Sequence, residues 1–456
     1  MTHVTIVGGG PGGYEAALVA SRLGAEVTLI ERDGLGGSTV LTDCVPSKTL
    51  IATSDLLTEV GTSAELGVQL PKDVRADIAA VNARVLSLAK AQSDDIAKRL
   101  TTSKITMIDG TATIESAGVV TAVTDDGDVR IETDAILLAT GAHPRVSADA
   151  QPDGERILTW EQVYDLQDLP EHMIVVGSGV TGAEFASAYN GLGAAVTLVS
   201  SRDRVLPGED VDAANVIENV FTRRGMTVMG NSRMASVERT GDGVRVTLTD
   251  GRTVAGSHCL LAIGSIPNTE GLGLEAVGVE LNDAGFIRVD RVSRTNVRGI
   301  YAAGDVTGVL MLASVAAQQG RIAMSHLLGD AVHPLDLGKV ASNVFTSPEI
   351  ATVGLSQKQV DESDLQIDVA MLPLASNPRA KMQGVHDGFV KIFARRGMGI
   401  VVGGVVVAPR ASELIHALSL AVSASLTVDQ VADAFTVYPS LSGSVAEAAR
   451  RLHRLA

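Results

Sequence analysis

The sequence predicts an α/β protein with two Rossmann-like domains and an α+β C-terminal domain. Three observations carry that prediction. Residues 4–33 and 173–202 align without gaps at an offset of 169, and each copy reads as apolar strand, glycine turn, Ala-rich helix and second strand. Each copy is followed by a β-rich stretch and an apolar strand that ends in glycine, at 135–141 and 260–264. A C-terminal third opens near Val340 and mixes strands such as 388–393 with helical apolar patterns such as 412–424.

Composition sets the outer limits. A chain of 456 residues has room for two to four domains. With 45% hydrophobic residues it can bury a large core without disulfide or metal staples. The net charge is 37 − 53 = −16, which argues against nucleic acid or an anionic membrane surface as partner. Aromatics at 3% leave little for base stacking. Two cysteines, Cys44 and Cys259, exclude a disulfide scaffold and a zinc ribbon. The nine histidines form no ligand cluster, so no metal is expected. The longest apolar run, 399–408, is far short of the ~20 residues of a membrane span. The first strand begins by Val4, which leaves no room for a signal peptide, and the expected setting is the cytoplasm.

Each element of the repeat has a physical reason. Gly8, Gly10 and Gly13 fall on Gly177, Gly179 and Gly182. The first glycine of such a triplet makes the tight turn, the second lets a pyrophosphate approach the backbone, and the third lets helix pack on strand. The helix N-terminus supplies unpaired N–H groups and positive dipole to the phosphates. Two dinucleotide sites are therefore expected.

The copies differ at the end of their second strands. The first ends on Glu31, 23 residues after Gly8, where a carboxylate accepts hydrogen bonds from a ribose diol. The second has Ser200 there, followed by Arg202 and Arg204, and all three are expected to be cofactor-binding. Without the acid, a 2′-phosphate is not repelled, and the arginines can neutralise it. The second site is expected to take NADPH, with NADH not excluded. As simple loop charges, the arginines would carry no such meaning.

The order of motifs resembles the flavoprotein disulfide reductase family, which includes lipoamide dehydrogenase and glutathione reductase. After the repeats come GIYAAGDV at 299–306, a helical pattern from about Leu312, VFTSPEIATVG from Val344 and GFVKIF from Gly388. The resemblance runs from Val4 to Ala449. It implies an FAD-binding domain in two parts, 1–150 and 270–338, an NAD(P)H-binding domain at 151–269 and a dimerisation domain at 339–456. A homodimer follows. It also implies that Asp305 holds the ribitol chain of FAD and that the helix after Leu312 aims its N-terminus at the flavin. Gly141 and Gly264, at the ends of the two apolar strands, count among the cofactor-binding residues.

Two departures bear on the chemistry. The family's redox loop carries two cysteines before Pro-Ser-Lys. Here the second is Cys44, ahead of Pro46-Ser47-Lys48, but the first position holds Thr39. Cys259 lies in an apolar strand that reads as buried core and cannot replace it. The family also closes with a His-Pro dipeptide and a glutamate, a dyad that serves the thiol; here these are Tyr438-Pro439 and Gly443. A phenol with an ordinary pKa ≈ 10 is a poor base near neutrality. Lys48 and Glu184, which the resemblance places beside flavin N5, are retained. Cys44 is either a catalytic thiol or a passive one, and Tyr438 either binds the acceptor or packs an interface.

Loss of thiol and base together, with complete nucleotide motifs, resembles the NAD(P)H:quinone reductase branch. NAD(P)H would reduce FAD, and FAD would reduce a small quinone without a redox-active disulfide. Two alternatives are a transhydrogenase between pyridine nucleotides and a lipoamide dehydrogenase-like, flavin-bound subunit without catalysis.

Overall fold

The computed structural model describes residues 1–71 and 74–453. The chain forms two compact units: Met1–Thr49 with Asn82–Arg145 and Gly264–Asp336, and Leu50–Val81 with Val146–Ile263 and Leu337–Ala456.

The first unit is three-layered. Its parallel sheet has the order Ile300–Ala302, Ala135–Leu138, His3–Val7, Glu26–Glu31, Thr106–Asp109. Parallel strands covered on both faces read as unbroken apolar runs, and 135–138 is buried throughout. Alternate side chains serve opposite faces. Ile6 and Leu29 pack with Ala16, Ala17 and Ala20 of the helix Pro11–Arg22. Val7 and Ile30 pack with Ile114, Val120 and Ile131 of a three-stranded antiparallel sheet. The helix Ala313–Leu327 crosses the helix Pro11–Arg22 so closely that a Cβ on Gly320 would lie 2.1 Å from the Gly12 carbonyl oxygen.

The second unit holds two five-stranded sheets with separate cores and a three-stranded meander. One is parallel, in the order Thr227–Met229, Ala195–Val199, His172–Val176, His258–Leu261, Ile157–Thr159. Its inner face packs Ile174, Val176, Cys259 and Leu261 against Val244 and Val246 of an antiparallel meander. The other sheet is antiparallel, in the order Ala341–Val344, Glu349–Gly354, Val401–Ala408, Phe389–Arg395, Ile367–Pro373. The helices Ala411–Ala424 and Gly443–Arg450 cover it through Ile415, Leu418, Val445 and Ala448. Residues 151–263 and 339–456, read from sequence as parts of separate domains, both fall within this unit, while 264–269 belong to the first.

The repeat extends to side-chain detail. His3 Nε2 lies 3.0 Å from Thr28 Oγ1, and 169 residues on, His172 Nε2 lies 2.9 Å from Thr197 Oγ1. Among the described residues no helix is long and apolar enough to cross a membrane.

Candidate active site

In each parallel sheet the glycine triplet turns the chain from the first strand into the helix at the carboxyl end of the strands. Gly8 has φ +101° and Gly177 φ +113°, a region closed to other residues in practice. A Cβ on Gly8 would meet the Ala139 carbonyl oxygen at 2.3 Å, and one on Gly177 the Ala262 oxygen at 2.1 Å. A Cβ on Gly13 would sit 1.8 Å from the Gly8 oxygen, and one on Gly182 1.8 Å from the Gly177 oxygen. The third glycine thus clears the carbonyl of the first. The middle glycines are different. Gly10 and Gly179 cap their helices in ordinary extended conformations, and nothing lies within 4 Å of a Cβ at either place. Open space before a helix N-terminus lined with backbone N–H groups is the shape a pyrophosphate needs.

Around the first triplet, Glu31 is the organising acid. Its Oε2 accepts from Gly9 N–H at 2.5 Å, and its Oε1 accepts from the N–H groups of Arg32 at 2.8 Å and Asp33 at 2.7 Å. Asp305 opens the turn Asp305–Thr307 after Gly304, whose N–H donates to buried Gln319 at 2.8 Å. Its half-buried carboxylate accepts no hydrogen bond among the described residues. Burial, then the neighbouring charge of Asp43, pushes its pKa up to about 6. A poorly hydrated carboxylate without a donor suits a ligand hydroxyl. The open cradle at Gly10, Glu31 and Asp305 together fit an adenine dinucleotide with a polyol chain, as FAD has.

Gly141, with φ +71°, and Gly264, with φ +102°, adjoin an antiparallel ribbon between Ala142–Pro144 and Ser265–Pro267 in the first unit. Thr140 and Asn268 close it with two hydrogen bonds of 2.7 and 2.8 Å. No sequence pattern marks this ribbon, whose strands have three residues each. The helix Ala313–Leu327 begins beside Leu312 as expected.

The second cradle is rebuilt where the first has Glu31. Ser200 is fully buried. Its hydroxyl lies 2.7 Å from Ser178 Oγ, within reach of the carbonyls of Arg202 at 3.1 Å and Arg204 at 3.2 Å, and accepts from Arg202 N–H. Ser200 therefore shapes the loop, its hydroxyl engaged by protein groups. Arg202 is exposed, and its guanidinium has no partner among the described residues. Arg204 buries Nε without a hydrogen bond, 3.7 Å from Asp203 Oδ1. Ser178 was missed from sequence, although the repeat offset sets it under Gly9.

The remaining candidates divide between the units. Thr39 lies on the short helix Gly37–Leu41, and Cys44 opens the helix Cys44–Thr62 with Lys48 one turn on. Cys44 is half-buried. Cys259 is fully buried in the other unit's parallel sheet, and burial pushes its thiol up to about 12. In the second unit, Glu184 is 3% exposed on the helix Val180–Leu192, and its Oε1 accepts from Phe345 N–H at 2.8 Å. Tyr438 is 82% exposed, beside exposed Phe435 and Val437.

Comparison with known proteins identifies the family. The pyridine nucleotide-disulphide oxidoreductase family profile matches residues 2–320, and that family's dimerisation domain matches 340–449. An NAD(P)H dehydrogenase (quinone) of Mycobacterium tuberculosis is 54% identical over 463 residues, covering 99% of this chain and 94% of that protein. A dihydrolipoyl dehydrogenase of Chlorobaculum parvum is 33% identical, covering 98% of this chain and 96% of its own. The crystal structure of LpdA from Mycobacterium tuberculosis superposes with a TM-score of 0.96 over the full length of both chains at 54% identity. A flavoprotein disulfide reductase of Escherichia coli, RclA, follows at 0.89 and 25% identity, covering 99% of each chain. With two glycine cradles of one design, an acid in the first and arginines beside the second, the chain belongs to the pyridine nucleotide-disulphide oxidoreductase family.

Proposed function

We propose that the protein is an FAD-dependent NAD(P)H:quinone oxidoreductase that works without a redox-active disulfide. The observation that carries this is Thr39. Both dinucleotide cradles are complete, yet the position that would pair with Cys44 holds a hydroxyl. The 54% identical relative named for quinone reduction supports it.

FAD, when bound, supplies a two-electron carrier that takes a hydride from NAD(P)H and passes it on. The protein's residues do the rest. The 1–150 and 270–338 segments bind FAD, with Gly8, Gly10 and Gly13 cradling phosphate, Glu31 taking the ribose and Asp305 the polyol. Segment 151–269 binds NAD(P)H on Gly177, Gly179 and Gly182, with Arg202 and Arg204 meeting a 2′-phosphate. Gly141 and Gly264 let the backbone pass close to the cofactors. Lys48 supplies a fixed positive charge for hydride transfer. Glu184, immobilised by Phe345 N–H, supplies a fixed negative one.

The acceptor is a small quinone, because a planar ring reacts by contact and needs no thiol relay. The exposed run of Phe435, Val437 and Tyr438 lies in segment 339–456, and a second copy of the chain is its natural cover in a homodimer. Tyr438 offers a quinone a flat face and a hydroxyl. The proposed setting is the cytoplasm, where NADH and NADPH are both generated.

A steady-state acceptor screen with NADPH tests the reading. Quinones should turn over, and lipoamide and glutathione disulfide should not. Lipoamide reduction above quinone reduction would overturn it.

A further inference from the structure

In the second unit, Lys391 Nζ is 3.0 and 2.9 Å from the two carboxylate oxygens of Asp210 and 2.6 Å from Asp212 Oδ2. The Lys391 and Asp210 side chains are 3% and 2% exposed. The ammonium also lies 5.7 and 5.9 Å from the ring centres of Phe389 and Phe393, its neighbours on the same strand face. Burying such a pair costs desolvation that attraction only partly offsets, so it is poor evidence for stability alone. Its placement is more telling. Asp210 caps the helix Val211–Arg223 by accepting from the N–H groups of Asp212 and Ala213. It also ends the loop 200–210, which carries Arg202 and Arg204. The other end of that loop is fixed by Ser200 on Ser178, and its middle by Leu206 N–H on the Ser178 carbonyl at 2.9 Å.

We infer that Lys391 is a positioning residue for NADPH selection: gripping Asp210 from the strand Phe389–Arg395, it holds the loop so that Arg202 and Arg204 stay aimed at a 2′-phosphate. The inference rests on the reading of those arginines as the phosphate contacts. The far end of the helix is tied to the same region, by Arg223 to Asp387 and by Arg224 Nη1 to the Ser347 carbonyl at 3.0 Å. Lys391 touches no nucleotide phosphate itself. Its effect falls on the nucleotide that carries the extra phosphate.

The test is kinetic and uses the FAD-loaded enzyme. Lys391→Met combined with Asp210→Asn cuts the tie and keeps a capping side chain, since asparagine caps as well as aspartate. NADPH KM should rise about fivefold, the scale of one weakened charge-assisted contact, with NADH KM and kcat nearly unchanged. Asp210→Asn alone retains the cap and the Lys391–Asp212 contact, so it guards against failure to fold; it should move the ratio in the same direction by about twofold. Equal changes for both nucleotides, or none in a folded protein, overturn the inference. Arg202→Ala with Arg204→Ala is the control. If it leaves the NADPH/NADH ratio untouched, the arginine reading fails and takes the inference with it. If it moves the ratio while the Lys391 and Asp210 variants do not, only the inference fails.

Discussion

Ser178 and Ser200 meet hydroxyl to hydroxyl at 2.7 Å, both buried, where the first repeat has the Gly9 N–H on the Glu31 carboxylate. Each residue of one pair is 169 positions from its counterpart in the other. The exchange of a carboxylate and its amide donor for two hydroxyls removes the negative charge from the second cradle at this position.

Nucleotide preference should therefore need two substitutions to convert. A Cβ on Gly9 would already lie 3.0 Å from Glu31 Oε2, so a glutamate at 200 would collide with the Ser178 side chain. Ser200→Glu alone should weaken both nucleotides. Ser178→Gly with Ser200→Glu should shift the kcat/KM ratio toward NADH by about 5–150-fold, or 1–3 kcal/mol. Steady-state kinetics with both nucleotides checks this.

The glycines of one triplet should separate fold from binding. Gly10→Ala adds a methyl group into open space at an ordinary φ of −67°, so Tm should hold while FAD retention falls. Gly13→Ala drives a methyl group into the Gly8 carbonyl and should destabilise by several kcal/mol, roughly 3 or more. Thermal melts and flavin absorbance after gel filtration distinguish the two.

Asp305 should destabilise the flavin-free protein at neutral pH. Its folded pKa of about 6 lies above the ordinary 3.8, so the folded state holds its proton more tightly. Stability from this group is present below about pH 4 and is lost as pH rises to about 6. Asp305→Asn should raise apoprotein stability at pH 7 by up to about 3 kcal/mol, flatten that part of the pH profile and weaken FAD binding. Denaturant melts of the apoprotein from pH 4 to 7 check the sign.

Tyr438→Phe should raise the quinone KM about fivefold, the ~1 kcal/mol scale of one neutral hydrogen bond, with kcat little changed. If Tyr438→Phe and Tyr438→Ala leave quinone kinetics unaltered in a dimeric protein, quinone is reduced without Tyr438.

Much of this was legible in the sequence because backbone geometry dictates residue type. The glycines of both triplets, the apolar strands beneath them and the helices Ala313–Leu327 and Ala411–Ala424 follow from local pattern. Cys259 read as buried core because its strand is apolar on both sides. What stayed hidden is what depends on distance in the chain. Lys391 and Asp210 are 181 residues apart, and a lone lysine in an apolar strand gives no hint of its partner. Ser200 looked like a ligand contact because the sequence shows its position on the strand and not the direction of its hydroxyl. The ribbon at Ala142–Pro144 is too short to leave a periodicity.

The central claim is that electrons pass through flavin alone, with no dithiol in series. An anaerobic titration tests it most directly: NADPH is added stepwise to the FAD-loaded enzyme, and a quinone or lipoamide is then mixed in. The flavin should bleach fully at about one NADPH per FAD and recover its colour with the quinone but not with lipoamide, because Thr39 provides no second sulfur to take a further pair. An end point near two NADPH per FAD, or rapid recovery with lipoamide, would contradict the account.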